Sequence, residues 1–420
     1  MKLLLTGNAT CANRGDSAIF RGLIHELQRQ HPAVELVCCS RHPVSSREIL
    51  GVNLKPDWLY EAQLTSGNVV QKAKGIVKNR LLQNRLYRQL NKPAGSATAD
   101  PPSVAEFRRQ VDDVDAVIHV GGSFFVDLYG VRQFDAVMAS HWIGKPVYLA
   151  GHSMGPFEIP RVKKFAAACV PAVDRVWLRE HTSLEMLQSL GVSLDNVVAG
   201  ADTAWLMPDA QVSSVADAEL DGVTDPLLAV TVRRLAPFDK RLGVSQAEYE
   251  TRLAVLLNQQ IESGHHVVGV SMCTGLGGYQ NDDRLVACSV RRRLRYPERM
   301  TVLMHEYNDL QVGAVLQRSV MLIGTRLHSV ILALRYGTPA VALFYEHKSE
   351  GVLKQLGLGD WSVRLKDVDS ESTGDLVKQI IATEIESAAR VGQAVRPEQE
   401  RAAEMVAEIL NCAGHDTIEN

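Results

Sequence analysis

An arginine and a histidine two residues apart close an apolar run in Gly324-Thr325-Arg326-Leu327-His328-Ser329, just ahead of Ile331 and Leu334 at helical spacing. The pattern joins an anion clamp, the planar fork of Arg326, to an imidazole, the side-chain type that exchanges protons near neutral pH. Both would sit at a helix N-terminus, where unpaired N–H groups favour negative charge. Arg233, after the run Leu227 to Val232, could grip a carboxylate or phosphate more selectively than a lysine. The run Ala340 to Phe344 leads into a second mixed-charge cluster, Tyr345-Glu346-His347-Lys348.

The first half carries weaker signals of the same kind. In Val120-Gly121-Gly122-Ser123-Phe124-Phe125-Val126-Asp127, two glycines after an apolar strand let backbone approach a ligand, and Asp127 adds a carboxylate at that rim. The stretch lacks the G-x-G-x-x-G spacing of dinucleotide folds, which argues against NAD. Its glycines would equally serve to pack a helix on a sheet. Gly151-His152-Ser153-Met154-Gly155-Pro156 contains the G-x-S-x-G of a nucleophile elbow, but Pro156 spoils a smooth start to a helix, so we discount it. Arg179-Glu180 closes the next run, with a mutual ion pair as its plain explanation. Asn13-Arg14-Gly15-Asp16 precedes the first helical stretch. Its N–H groups suit an anion, and a tight turn with Asp16 as helix cap suits the same residues.

These positions share one feature: each follows a short apolar run. The runs Lys2 to Thr6, Val34 to Cys39, Ala116 to Val120, Val147 to Ala150 and Val173 to Leu178 alternate with amphipathic stretches, the pattern of strand-helix units feeding a parallel sheet. After the polar stretch Met207 to Glu219 the alternation resumes at Leu227 to Val232, Val267 to Val270, Thr301 to Met304, Val320 to Ile323 and Ala340 to Phe344. The expected fold is α/β, with two doubly wound, Rossmann-like domains facing across a cleft. Residues 1–215 form the N-terminal one, 216–412 the C-terminal one, and 413–420 a flexible tail. Ligands of such sheets bind beyond the carboxyl ends of the strands, where the motifs fall.

One segment breaks the alternation. Residues 62–99 contain no Asp or Glu, while Lys72, Lys74, Lys78, Arg80, Arg85, Arg88 and Lys92 accumulate. Helical spacing puts Lys74, Lys78, Arg85, Arg88 and Lys92 on one side and Leu82, Leu86 and Leu90 on another. Such a helix could lie peripherally on an anionic membrane through Lys72 to Lys92, or be the solvated face of an ordinary helix.

The chain has 420 residues, 45 Lys+Arg against 48 Asp+Glu and a formal charge of −3, so it has neither the size of a small binding module nor the field of a nucleic-acid binder. With no run of ~20 apolar residues and no signal-peptide core, the expected location is cytoplasmic. Seven cysteines without a C-x-x-C pair read as reduced thiols, and no metal site is expected.

Taken together, GNATCANRGDSAI, VGGSFFVDLYG, GHSMGPF, GADTAWL, VRRLAPFDKRLG and GTRLHSVILALRYGTPAVALFYEHKSEG resemble the polysaccharide pyruvyl transferases, most closely the colanic acid and amylovoran type. The resemblance implies a GT-B-like fold and a reaction in which phosphoenolpyruvate, a co-substrate in place of any cofactor, gives its pyruvyl unit to two sugar hydroxyls as a cyclic ketal, releasing phosphate. It assigns donor contacts to Arg233, Arg326, His328, Ser329 and Lys348, and catalysis to His328, Arg326 and Asp127. The acceptor, a sugar such as galactose on a lipid-linked oligosaccharide, would meet Asn13, Arg14, Asp16, Gly121, Gly122, Ser123, His152 and Glu180. Val120 stands where the family often has a third glycine, and His152 where it often has Gln. Two rival readings are a nucleotide-sugar glycosyltransferase of the same architecture and a non-catalytic partner in a membrane assembly line.

Overall fold

The computed structural model describes all residues except 237–242, 278–280, 345–346 and 416–420, and the side chains of 347–350 and 415. The chain divides into two compact units. The first comprises Met1–Thr10, Ile19–Leu206 and Glu400–Asn420, and the second Cys11–Ala18 and Met207–Gln399.

Each unit is built on one parallel sheet. In the first, β1 (Lys2–Asn8), β2 (Glu35–Ser40), β3 (Leu54–Pro56), β4 (Ala116–Phe125), β5 (Val147–Met154), β6 (Arg175–Leu178) and β7 (Val197–Ala199) lie in the order β3-β2-β1-β4-β5-β6-β7. In the second, β8 (Leu227–Thr231), β9 (His266–Gly269), β10 (Met300–Val302), β11 (Met321–Gly324), β12 (Ala340–Phe344) and β13 (Ser362–Arg364) lie in the order β10-β9-β8-β11-β12-β13. Both sheets reverse strand order beside their first strand, at β1/β4 and β8/β11, the switch point where open α/β sheets leave a crevice. The central strands are buried at every position, as in VYLAGHSM of β5 and LLAVT of β8. Covering both faces of a sheet removes any polar alternation, which is why these strands read as continuous apolar runs.

Two strands run further than their apolar cores. β4 continues through Gly121, Gly122 and Ser123 to Phe125, and β5 through His152 and Ser153 to Met154, with Gly122 registered on His152 and Phe125 on Met154. The supposed glycine loop is therefore strand. A Cβ at Gly121 would meet Ala150 O at 2.6 Å and Gly151 O at 2.8 Å, so that glycine serves the close approach of β4 to β5.

The division of the chain departs from a single cut at 215 in two places. The last helix, Glu384–His415, buries Ala402, Met405, Val406 and Ile409, and from it Glu408 accepts from Trp177 Nε1 at 2.9 Å while Ala403 O accepts from Gln30 at 2.8 Å, all within the first unit. The segment Cys11–Ala18 belongs to the second unit: Arg14 N donates to Met272 O at 2.8 Å and Asn13 bridges Cys273.

Candidate functional site

In the second unit, β11 leads directly into the helix Leu327–Arg335, with Arg326 at its N-cap in extended backbone and His328 in its first turn. The Arg326 guanidinium is held by a buried carboxylate far off in sequence. Its Nε donates to Asp283 Oδ2 at 2.7 Å and its Nη2 to Asp283 Oδ1 at 2.6 Å. Cys273 N donates to the same Oδ2 at 3.0 Å. Burial pushes the Asp283 carboxyl upward from its ordinary range, and Arg326, the Cys273 N–H and Arg233 pull against that shift. The two charge-assisted bonds oppose that shift and orient the fork of Arg326.

Ser329 supports the same turn from below. Its buried hydroxyl donates to Arg326 O at 2.6 Å and lies 2.6 Å from Thr231 Oγ1, which ties the helix start to the end of β8. Arg233 follows β8 and is half-buried, with Nε donating to Arg234 O at 3.1 Å. The side chain of Lys348 lies outside the described residues.

The segment Cys11–Ala18, which runs into the start of the helix Arg14–Gln30, completes this corner. Asn13 Oδ1 accepts from Gly15 N, and Ser17 Oγ donates to Asp309 Oδ1 at 2.7 Å. Asp16 falls inside the first turn of the helix Arg14–Gln30 instead of capping it. Arg14, expected to meet a ligand, is fully buried and donates to Tyr307 O at 2.6 Å, Ala12 O at 2.8 Å and Glu306 Oε2 at 2.7 Å, so its place is that of a brace. Gly15 lies so close to His328 that a Cβ there would stand 2.7 Å from the histidine's Cβ, Cγ and Nδ1. Since the contact reaches the base of the imidazole, a side chain at 15 must displace the whole ring. We expect Gly15→Ala to lower turnover at least tenfold with the circular dichroism spectrum retained, given the sensitivity of catalysis to ~1 Å displacements. Unchanged turnover would show that the position of His328 does not matter.

In the first unit the ends of β4, β5 and β6 gather a second polar cluster. Arg179 donates from Nη1 to Asp202 at 2.6 Å, from Nε to Ser153 Oγ at 2.7 Å and from Nη2 to Ser123 Oγ at 2.8 Å. Glu180 accepts from Ser153 Oγ at 2.8 Å and from Ser183 Oγ. Ser153 thus lies in a strand with its hydroxyl turned to a carboxylate, unlike an elbow nucleophile. His152, expected at the acceptor, is wholly buried: its Nε2 lies 3.2 Å from His119 Nδ1 and its Nδ1 3.2 Å from Gly122 O. Burial holds His152 down to about 4 and His119 well below its ordinary value, so the pair is neutral and internal. Asp127, half-buried, accepts from Glu158 N at 2.7 Å and Ile159 N at 3.2 Å ahead of the helix Pro160–Cys169. Sequence reading passed over Asp283, Glu306, Asp309, His119 and Asp202. The Asp282-Asp283 pair at a helix start reads as capping, and only Asp282 does that.

A cavity of about 20 Å³, room for roughly one water, is lined by Arg41, Asp57, Tyr60, His119, Arg132 and Asp135 among others. Burial raises the Asp135 carboxyl from 3.8 to about 7, against bonds donated by Gln63 at 2.7 Å and Gln83 at 3.5 Å and the nearby Arg132. Between those two values the folded protein keeps a proton that the unfolded chain has released. The stability this group contributes is complete below the unfolded value and is lost as pH rises through the folded one. Asp135→Asn should therefore gain on the parent by about 1.4 kcal/mol per pH unit from roughly pH 4 to pH 7 and level off above. Urea unfolding of both proteins across that range checks it, and parallel profiles would refute it.

Residues 13–347 match the family model described as polysaccharide pyruvyl transferase. The chain belongs to this family. The amylovoran biosynthesis protein AmsJ of Erwinia amylovora is 40% identical over 427 residues, covering 99% of this chain and 100% of AmsJ. As a member of the pyruvyl transferase family, the protein is a transferase of pyruvyl groups in exopolysaccharide synthesis. Among solved structures, UDP-GlcNAc 2-epimerase of Neisseria meningitidis bound to UDP-GlcNAc is similar with a TM-score of 0.58 at 11% identity, covering 100% of both chains. HepE of Anabaena in complex with UDP-glucose is similar with a TM-score of 0.57 at 11% identity, covering 98% of this chain and 100% of HepE. At such identity the likeness is one of fold. This pyruvyl transferase-family chain has the GT-B-like organisation of two Rossmann-like sheets.

Proposed function

We propose that the donor is phosphoenolpyruvate and that its pyruvyl group passes to two hydroxyls of one sugar, with galactose as the expected acceptor, to give a cyclic ketal and inorganic phosphate. What supports this reading beyond the family is one observation: an arginine fork fixed by a buried carboxylate stands at a helix N-terminus two residues from a histidine. A small donor with a carboxylate and a phosphate suits a fixed guanidinium, with Arg233 as its second cation.

In this proposal His328 gives a proton to the methylene carbon of the enol, which becomes the methyl group. The neighbouring carbon becomes an oxocarbenium centre, and the first sugar hydroxyl adds to it as its own proton leaves to a base. The C–O bond to phosphate then breaks, and the second hydroxyl closes the ring. Of the two hydroxyl protons one replaces that given by His328 and the other leaves with phosphate. The test is phosphate release from phosphoenolpyruvate with and without a repeat-unit oligosaccharide, with product mass recorded in parallel. Acceptor-dependent release with a matching mass gain is expected. Turnover of a nucleotide sugar without phosphoenolpyruvate consumption would overturn the proposal in favour of glycosyl transfer.

A further inference from the structure

The helix Val69–Gln89 is amphipathic in an unusual sense: it has two apolar stripes. Leu82, Leu86 and Leu90 face inward, with Leu86 fully buried and the other two packed on the core of the first unit. On the opposite side, Val69, Val70, Ala73, Val77 and Leu81 line an open groove, joined by Lys74 and Lys78. This outer stripe is exposed, with Val69 at 83%, Val77 at 58% and Leu81 at 65%, and Ile76 beside it at 62%. Water gains nothing from an apolar row of this size on a folded protein, and contiguous patches of this kind mark interaction surfaces.

We propose that this outer face docks on an anionic lipid surface, with the valines and Leu81 in the acyl boundary and the lysines at the phosphate level. Charge decides among occupants. Residues 62–99 carry seven basic side chains and no carboxylate. Two copies of the face would bring those like charges together, whereas a lipid headgroup layer supplies the missing negative charge, and lysine stems can lie along apolar surface while their ammonium groups reach outward. Among the described residues no helix is long and apolar enough to cross a membrane. The inferred contact is therefore one of lying on the surface. It engages the side of the helix away from the leucines that sequence periodicity singles out.

The test is flotation of the full chain with vesicles of phosphatidylcholine, with and without phosphatidylglycerol, at low and high salt. We expect flotation only with the anionic vesicles and a fall in the bound fraction at high salt, since screening weakens exposed charge interactions. The double variant V77E/L81E should abolish it. K74E/K78E should lower the binding constant at least roughly tenfold, given about fivefold per basic residue near the surface. V212E, an exposed valine of the second unit, should float as the parent does. Lack of flotation at low salt, or flotation of V77E/L81E equal to the parent, would overturn the proposal. So would a dimer in free solution that V77E/L81E dissolves, which would make the face a self-association surface. The readout is binding alone, so its failure leaves the donor proposal untouched.

Discussion

His328→Gln is expected to lower the turnover of pyruvyl transfer by about 10²–10⁴-fold, the usual contribution of a positioned proton donor, while the KM for the proposed donor, phosphoenolpyruvate, changes little. Glutamine keeps a hydrogen-bonding side chain of similar reach but gives up no proton at neutral pH. The fold has little reason to respond. His328 is half-buried in the first turn of its helix, and the cap beneath it is built from Ser329, Thr231 and the Arg326 carbonyl. A variant that unfolds at the parent's urea midpoint and transfers at the parent's rate would remove His328 from the mechanism. Together with Gly15→Ala, which keeps the histidine but moves it, this separates the need for the group from the need for its place.

Asp283→Ala should have the second large effect, and on stability as well as activity. The substitution removes the two carboxylate oxygens that accept from Arg326 Nε and Nη2 and the acceptor of the Cys273 N–H, leaving a guanidinium side chain that is 10% exposed without this buried carboxylate. Breaking a buried pair from one side costs about 3–5 kcal/mol. Donor affinity should fall with it, since the fork of Arg326 then loses the carboxylate that accepts from its Nε and Nη2. The double variant Asp283→Ala/Arg326→Met removes both charges and should regain most of the lost stability, because replacing a buried pair by apolar groups is often close to neutral. It should not regain pyruvyl transfer. Recovery of activity along with stability would show that Arg326 serves the fold and not the donor.

How far these residues were legible follows from the range of the forces that place them. Arg326 and His328 stand out because a strand, a turn and a helix lie in one continuous stretch, and the apolar runs around them announce each element locally. The same holds for most strands of both sheets, whose burial on two faces makes them continuous hydrophobic runs. The three-residue strands β3, β7 and β13 escape notice, as LKP, VVA and SVR carry too few side chains to establish a period. Glycines at 121 and 122 suggest a ligand loop. The structure shows strand, because a glycine needed for close approach between strands looks the same in sequence as one needed for a phosphate.

From the sequence alone came the two-part α/β organisation, the pairing of Arg326 with His328 at a helix start, and the family resemblance that the comparisons then established. Those are properties of local pattern and of ordered motifs along one chain. Tertiary structure alone decided which polar groups turn inward: that Asp283, 43 residues before Arg326, holds its fork; that Arg14 and His152 are buried among protein partners; and that the exposed side of the basic helix is the one lined by Val70, Val77 and Leu81. A buried charge must find its partner when the chain closes, and a helix can offer only one face to the core it packs on. Neither choice leaves a mark in local periodicity, since both depend on segments that meet only after folding.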